Sequence, residues 1–321
     1  MLRIHFTAED LGRIRLAEGP DPLWEVVLSL HVLQTERPVR PFDRWRRAAL
    51  RHFTPEVREL ASLTPAKGYS ADFLTPATAA PGIDAGLAGI EDTPAEQLRT
   101  DISLLSRQQR LPDWAGRLAV GDRAAVAAVT RTVRSYYTAA LAPLWPELEQ
   151  SAAAERNRYG QLAFHGGLKL ALAELHPTAR WRGSVLELGY PVHQEVHLGG
   201  RGLILTPSYF CLGRPITFRD PGRPPTLVYP ISATDSGALT GERPGAAALD
   251  ALFGRGRARV LRAIAERPRI STTGLAGLLG ISAAGASQHA TVLRTAGLIY
   301  TTRTGGTARH SLTLRGRSLL R

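Results

Sequence analysis

The chain has 321 residues, 44% hydrophobic and 21% charged, which is ordinary for a folded protein with room for two domains. Its net charge is +12, and its one cysteine, Cys211, excludes an internal disulfide and any Cys-rich metal site. No apolar run approaches the roughly 18 residues a spanning helix needs, and the opening MLRIHFTAEDLGR has early charges where a signal peptide has an apolar core, so a cytoplasmic protein without membrane contact is expected.

Leu2–Phe6 alternates like a short strand, and Thr7 with Asp10 resembles an N-cap before a short helix. Leu23–Leu33 is an apolar helix set between Pro22 and Pro38, and Phe42–Phe53 and Pro55–Leu63 also read as helices. Lys67–Pro94, rich in Ala, Pro and Gly, reads as loop. Helical spacing returns over Ala95–Gln109 and Asp122–Leu141, where Pro143 and Pro146 should kink or end the second helix, and again over Arg156–Leu175. Beyond Pro177, Ser184–Leu188 alternates. His193–Leu198 and Leu203–Pro207 flank Gly199-Gly200-Arg201-Gly202 like the arms of a hairpin, and Leu227–Ile231 is a short apolar run. The fold class expected is α+β, mainly α with small β elements: a helical first domain with a β-hairpin, then a C-terminal winged helix-turn-helix.

Thr234–Ala246 (TDSGALTGERPGA) reads as a linker, dividing a domain over 1–240 from one over 247–321. The charge divides with it. From Pro244 onward there are twelve Arg against only Asp250 and Glu266, so this quarter of the chain carries +10 and the remainder +2. A basic excess on a segment with strong apolar periodicity points to a nucleic-acid partner.

Within that segment, Arg257–Glu266 brings Val260, Leu261 and Ile264 to one face. Ser271 can cap a helix over Thr272–Leu279, with Leu275, Ala276, Leu278 and Leu279 as its apolar side. Gly280 closes that helix, Ile281 plugs the turn, and Ser282 caps a third helix from Ala283 to Thr295. Two helices joined by a short Gly-containing turn make a helix-turn-helix unit. On the third helix Ala286, Ala290 and Leu293 form a core stripe, while Ala284, Ser287, Gln288, Thr291 and Arg294 take the other side. Leu298–Arg303 and Thr307–Leu314, joined by Thr304-Gly305-Gly306, form a hairpin wing with Arg303 and Arg309 on its flanks.

These motifs, TGLAGLLGIS (273–282), GASQHATVLRTAGLI (285–299) and the Arg303–His310 wing, resemble the ArsR-type winged helix-turn-helix transcription regulators. The resemblance implies a homodimeric repressor or activator on double-stranded DNA, with Ala283–His289 facing the duplex. Helix side chains then read base edges while the wing holds the backbone. The expected DNA-binding residues are Ser282, Ala283, Ala284, Ser287, Gln288, His289, Thr291, Arg294, Arg303 and Arg309. Small Ala283 and Ala284 permit close approach, base readout falls chiefly to Ser287 and Gln288, and His289 lies at the border of the core stripe. The first helix of the unit, TTGLAGLL, lacks the cysteines of metal-sensing members, so no metal of that kind is expected. The long first domain resembles that of a group of actinobacterial regulators, through GLILTP (202–207) and LVYP (227–230), and would dimerise or sense a small-molecule effector.

No cofactor, metal or catalytic set is read from the chain. His193 and His197 stand beside Glu195, but on a strand four residues separate the two imidazoles by about 13 Å, too far for one ion. The glycine pairs of 200–202 and 254–256 lack the rest of a dinucleotide loop, and residues 280–284 lack the last glycine of a nucleophile elbow. An enzyme with an accessory winged helix is the alternative reading, resting on the size of the first domain alone. The aromatics Trp24, Trp45, Trp114, Tyr136, Tyr137, Trp145 and Trp181 read as core in preference to an effector pocket.

Overall fold

A computed structural model describes residues 1–35, 42–77, 81–219, 222–231, 246–304, 307–313, 315–316 and 319–320. The chain divides into two compact units, 1–239 and 240–321, and the boundary, together with most of the expected linker, falls outside the described residues. The architecture is mainly helical with small sheets.

The first unit is built around a helix buried on almost every side. This helix, α2 (Pro22–Gln34), follows β1 (Leu2–His5), α1 (Ala8–Gly12) and β2 (Arg15–Leu16). Asp21 caps α2 by accepting from the Leu23 and Trp24 amides at 2.9 and 3.1 Å. Burial all round explains why its sequence is apolar without a stripe. Around it lie α3 (Asp43–Ala49), α4 (Pro55–Ser62), α5 (Ile83–Glu91), α6 (Ala95–Ser106), α7 (Ala115–Ala119) and α8 (Arg123–Tyr136). The core they enclose includes Leu30, Leu63, Phe73, Ile90, Leu105 and Tyr136. Trp24, Trp45 and Tyr136 are buried and Trp114, Tyr137 and Trp145 pack partly against the same cluster, so these aromatics are core as expected.

The expected loop over Lys67–Pro94 contains α5, because Leu87 and Ile90 recur at helical spacing and are buried against the cluster. The expected break at Pro143 and Pro146 is half met. A single π-helical turn over Tyr137–Leu141 and a 3-10 turn end α8 there, but Pro146 sits in the first turn of α9 (Trp145–Ala173), where its missing N–H costs nothing.

The expected hairpin at 193–207 is not formed. Its arms, β5 (Gln194–His197) and β6 (Ile204–Ser208), lie in different sheets. One sheet has the order β3 (Arg180–Arg182), β4 (Val185–Leu188), β1, β5, with β5 parallel to β1. The other has the order β2, β6, β8 (Thr226–Pro230), β7 (Ile216–Thr217), with β6 parallel to both β2 and β8. The reason lies at Gly202, which has a φ of 75° and gives its N–H to the buried Asp10 carboxylate at 2.9 Å. A Cβ there would collide with the Arg13 backbone, so the chain is held to α1 and leaves its first sheet. The alternating residues Leu2, Ile4, Leu186 and Leu188 fill a second core with Tyr159, Leu172 and Tyr229, and their neighbours face outward.

The second unit comprises α10 (Ala246–Phe253), α11 (Arg255–Glu266), β9 (Ile270–Ser271), α12 (Thr272–Leu279), α13 (Ala283–Thr295), β10 (Ile299–Thr304) and β11 (Thr307–Leu312). Arg262 binds Asp250 at 2.8 Å and ties α11 to α10. Val260, Leu261, Ile264, Leu275, Ala286, Ala290 and Leu293 form its core with Leu298, Ile299 and Leu312.

Candidate nucleic-acid interface

The core of the second unit decides which side of α13 is free. Ala286 is fully buried, and Ala290 and Leu293 nearly so, because i, i+4 and i+7 share one side of a helix. Small side chains at the first two positions let the α13 backbone seat closely on its neighbours. The opposite side carries Ala283, Ala284, Ser287, Gln288, Thr291 and Arg294, all exposed. The polar residues expected to read DNA therefore share one solvent face, with two alanines at its N-terminal end.

Local chemistry fixes the ends of this helix. Ser282 caps it, its hydroxyl accepting from the Gly285 amide at 3.0 Å. Gly280 ends α12 in the left-handed region at a φ of 64°, a conformation that favours glycine. Arg259 donates to the Leu279 carbonyl at 2.8 Å, so one of the helix-end carbonyls is also satisfied. On α12 only Leu275 is fully buried, Ala276 and Leu279 pack partly on the core, and Leu278 is exposed, so its apolar side is narrower than expected.

Three placements sharpen the sequence expectations. The His289 ring is half-buried and turned onto α11, close enough that a methyl at Gly256 would stand 2.7 Å from its Nε2. Arg303 and Arg309 are both exposed, but they point to opposite faces of the wing. Arg303 pairs with Ala308 and Arg309 with Thr302, and successive strand residues alternate in direction. Arg309 also donates to the Arg269 carbonyl at 3.2 Å, which draws it to the base of the wing. Gly305 and Gly306, the expected wing turn, lie outside the described residues, but Thr304 pairs with Thr307 across it.

His310 is the residue that sequence reading passed over. It is buried, with Nε2 2.9 Å from Thr272 Oγ1 and Nδ1 2.9 Å from Thr301 Oγ1. It thereby joins the start of α12 to both wing strands. Burial, with a smaller contribution from the Arg294 charge, lowers its pKa below the ordinary 6.5. The signal was present in the alternation of β11, which puts His310 on the same face as Leu312.

Three helices, a capped turn and a two-stranded wing completed by β9 define a winged helix-turn-helix domain. Residues 254–310 match the family model described as MarR family, 57 of the 321 residues, and this domain supports a DNA-binding transcription regulator. The matched family is MarR where the helix motifs resemble the ArsR type; the winged-helix framework is common to both. No curated protein and no solved structure matches the chain significantly. Among the described residues, no helix is long and apolar enough to cross a membrane.

Proposed function

We propose that this protein is a cytoplasmic, sequence-specific repressor that binds double-stranded DNA as a homodimer. The observation that carries the reading is the exposed row of Ser287, Gln288, Thr291 and Arg294 opposite the buried Ala286, Ala290 and Leu293. The N-terminal half of α13 enters the major groove, with Ser282, Ala283 and Ala284 nearest the duplex and Ser287 and Gln288 reading base edges. A glutamine can pair bidentately with adenine, contributing about 1–3 kcal/mol of discrimination. Arg294, Arg303 and Arg309 bind phosphates, and His289 supports the helix from its inner edge. The likeness of the helix motifs to ArsR-type regulators fits this docking mode. A dimer places two half-sites about one helical turn apart.

The first unit supplies dimer contacts or receives an effector. Supporting the first role, Phe164 is 86% exposed on α9, with Leu168 and Leu170 exposed nearby. Apolar surface of this kind marks association sites. The test is fluorescence anisotropy with a duplex from the gene's own promoter against a shuffled duplex at matched salt. Preference for the promoter, with affinity falling steeply as salt rises, is expected; equal affinity for both duplexes would refute the reading.

A further inference from the structure

The outward face of the sheet containing β1 and β5 gathers two imidazoles and a carboxylate. β1 and β5 run parallel in register, so His5 stands beside His197 and Arg3 beside Glu195. Glu195 and His197 are two apart on one strand and share that face. The sequence spacing of His193 and His197 ruled out a shared ion; tertiary structure instead brings in His5, from the other end of the unit.

The distances suit an ion. Glu195 Oε2 is 3.4 Å from His5 Nε2 and 3.6 Å from His197 Nε2, and the three donor atoms lie within 4.8 Å of one another. Zinc bonds to nitrogen and oxygen of about 2.0–2.1 Å give a tetrahedral donor–donor edge of about 3.4 Å. The two rings stack with centroids 4.1 Å apart and nearly parallel planes, so binding an ion requires the exposed His197 ring to rotate out of the stack. His5 Nε2 is shielded from solvent and makes no hydrogen bond, so a buried ring nitrogen is left facing the carboxylate. An unpaired buried polar atom is costly unless something binds it.

The surroundings orient the carboxylate. Arg3 Nη1 stands 3.6 Å from Glu195 Oε1, the oxygen turned away from the histidines. The Arg3 charge is itself shared with Glu187, 3.2 Å from its Nε, and Glu187 also binds Arg182 at 2.7 Å. This outer layer of charges holds Oε2 toward the imidazoles, as groups hydrogen-bonded to the ligands of protein-bound metals do.

We propose that His5, Glu195 and His197 form a binding site for a divalent first-row transition ion of the zinc class, with a fourth position open to water. Two imidazoles and one carboxylate suit zinc, cobalt, nickel and copper, whereas calcium and magnesium require oxygen donors. The site is independent of the DNA-reading proposal, and its test reads metal alone.

The test uses the tag-free full-length protein, stripped with a chelator and titrated with Zn²⁺ against a competing indicator dye at neutral pH. A parallel titration with Co²⁺ reports coordination by visible absorption. One ion per chain is expected, with no binding of Ca²⁺ or Mg²⁺. His5→Ala, Glu195→Gln and His197→Ala should each weaken Zn²⁺ binding by at least about tenfold, while His193→Ala leaves it unchanged. Glu195→Gln and His197→Ala alter exposed side chains, so they keep the test decisive if circular dichroism shows His5→Ala misfolded. No saturable Zn²⁺ binding, full binding in Glu195→Gln and His197→Ala, or equal loss in His193→Ala would each overturn the site.

Discussion

His310 on β11 binds Thr272 at the first residue of α12 through a 2.9 Å contact between Nε2 and Oγ1. The helix-turn-helix and its wing are thus joined by one imidazole, whose other nitrogen reaches Thr301. Its pKa is lowered by burial first and by Arg294 second, so the folded domain holds it neutral more strongly than the unfolded chain does. As pH falls below the ordinary value of 6.5, the unfolded chain takes up the proton first, and stability is lost until the folded pKa is passed. The protection of wing-strand amides, taken relative to their intrinsic exchange rate at each pH, should therefore fall as pH drops below 6.5. His310→Gln should remove that pH dependence. His310→Ala, which strips both threonine hydroxyls of a partner, should cost about 1–3 kcal/mol at neutral pH.

The base readers and phosphate contacts proposed above are separable by residue. Gln288→Ala should relax preference at one base position by about 1–3 kcal/mol and leave the salt slope intact. Arg303→Ala should weaken all duplexes alike and reduce the slope by about one charge. Arg309→Ala should do less, because its guanidinium is engaged with the Arg269 carbonyl on the other face of the wing. A selection experiment on randomised duplexes, repeated at several salt concentrations, measures all three.

The alanine stripe of α13 is a packing device. Ala286→Leu would force a large side chain into a site with no exposed surface, and overpacking costs about 1–3 kcal/mol. Ala284→Leu lies on the exposed side and should leave stability unchanged while lowering DNA affinity through obstruction of the groove. Thermal melts and anisotropy titrations on the two variants should show this crossed pattern.

Two titratable groups on α2 oppose each other. Glu25 is fully buried, accepting from Ser208 Oγ at 3.0 Å and from the Tyr209 and Phe210 amides at 2.8 and 3.1 Å; burial pushes its pKa from 4.5 up to about 7. His31, 3.0 Å from Ser70 Oγ, is pushed by burial from 6.5 down to about 4. Glu25 takes stability away as pH rises from 4.5 through about 7, whereas His31 takes it away as pH falls from 6.5 through about 4. Their contributions to first-unit stability largely offset one another across this range. Glu25→Gln should expose the His31 dependence, so that the first unit weakens on acidification. His31→Asn should expose the opposite trend, a first unit that gains stability as pH falls toward 4.5. Denaturant melts across this pH range, read by tryptophan fluorescence, check both signs.

The second unit was legible because its information is local. The capping serines Ser271 and Ser282, the turn glycine Gly280 and the Ala286, Ala290, Leu293 stripe each act within a few residues of themselves, and a helical period converts spacing directly into a face. The sequence by itself thus determined the helix-turn-helix, its wing, and which side of α13 faces solvent. Strand partners in the first unit were beyond it. Alternation at 194–197 and 204–208 marks strands without naming neighbours, and both pair in parallel with strands nearly 200 residues away. Only tertiary structure could separate them, through the Gly202 contact with Asp10. The same long-range register brings His5 to Glu195 and His197, and folds His310 back onto Thr272. Local periodicity sets the direction in which a side chain points; what it meets there depends on chain segments that only folding brings together.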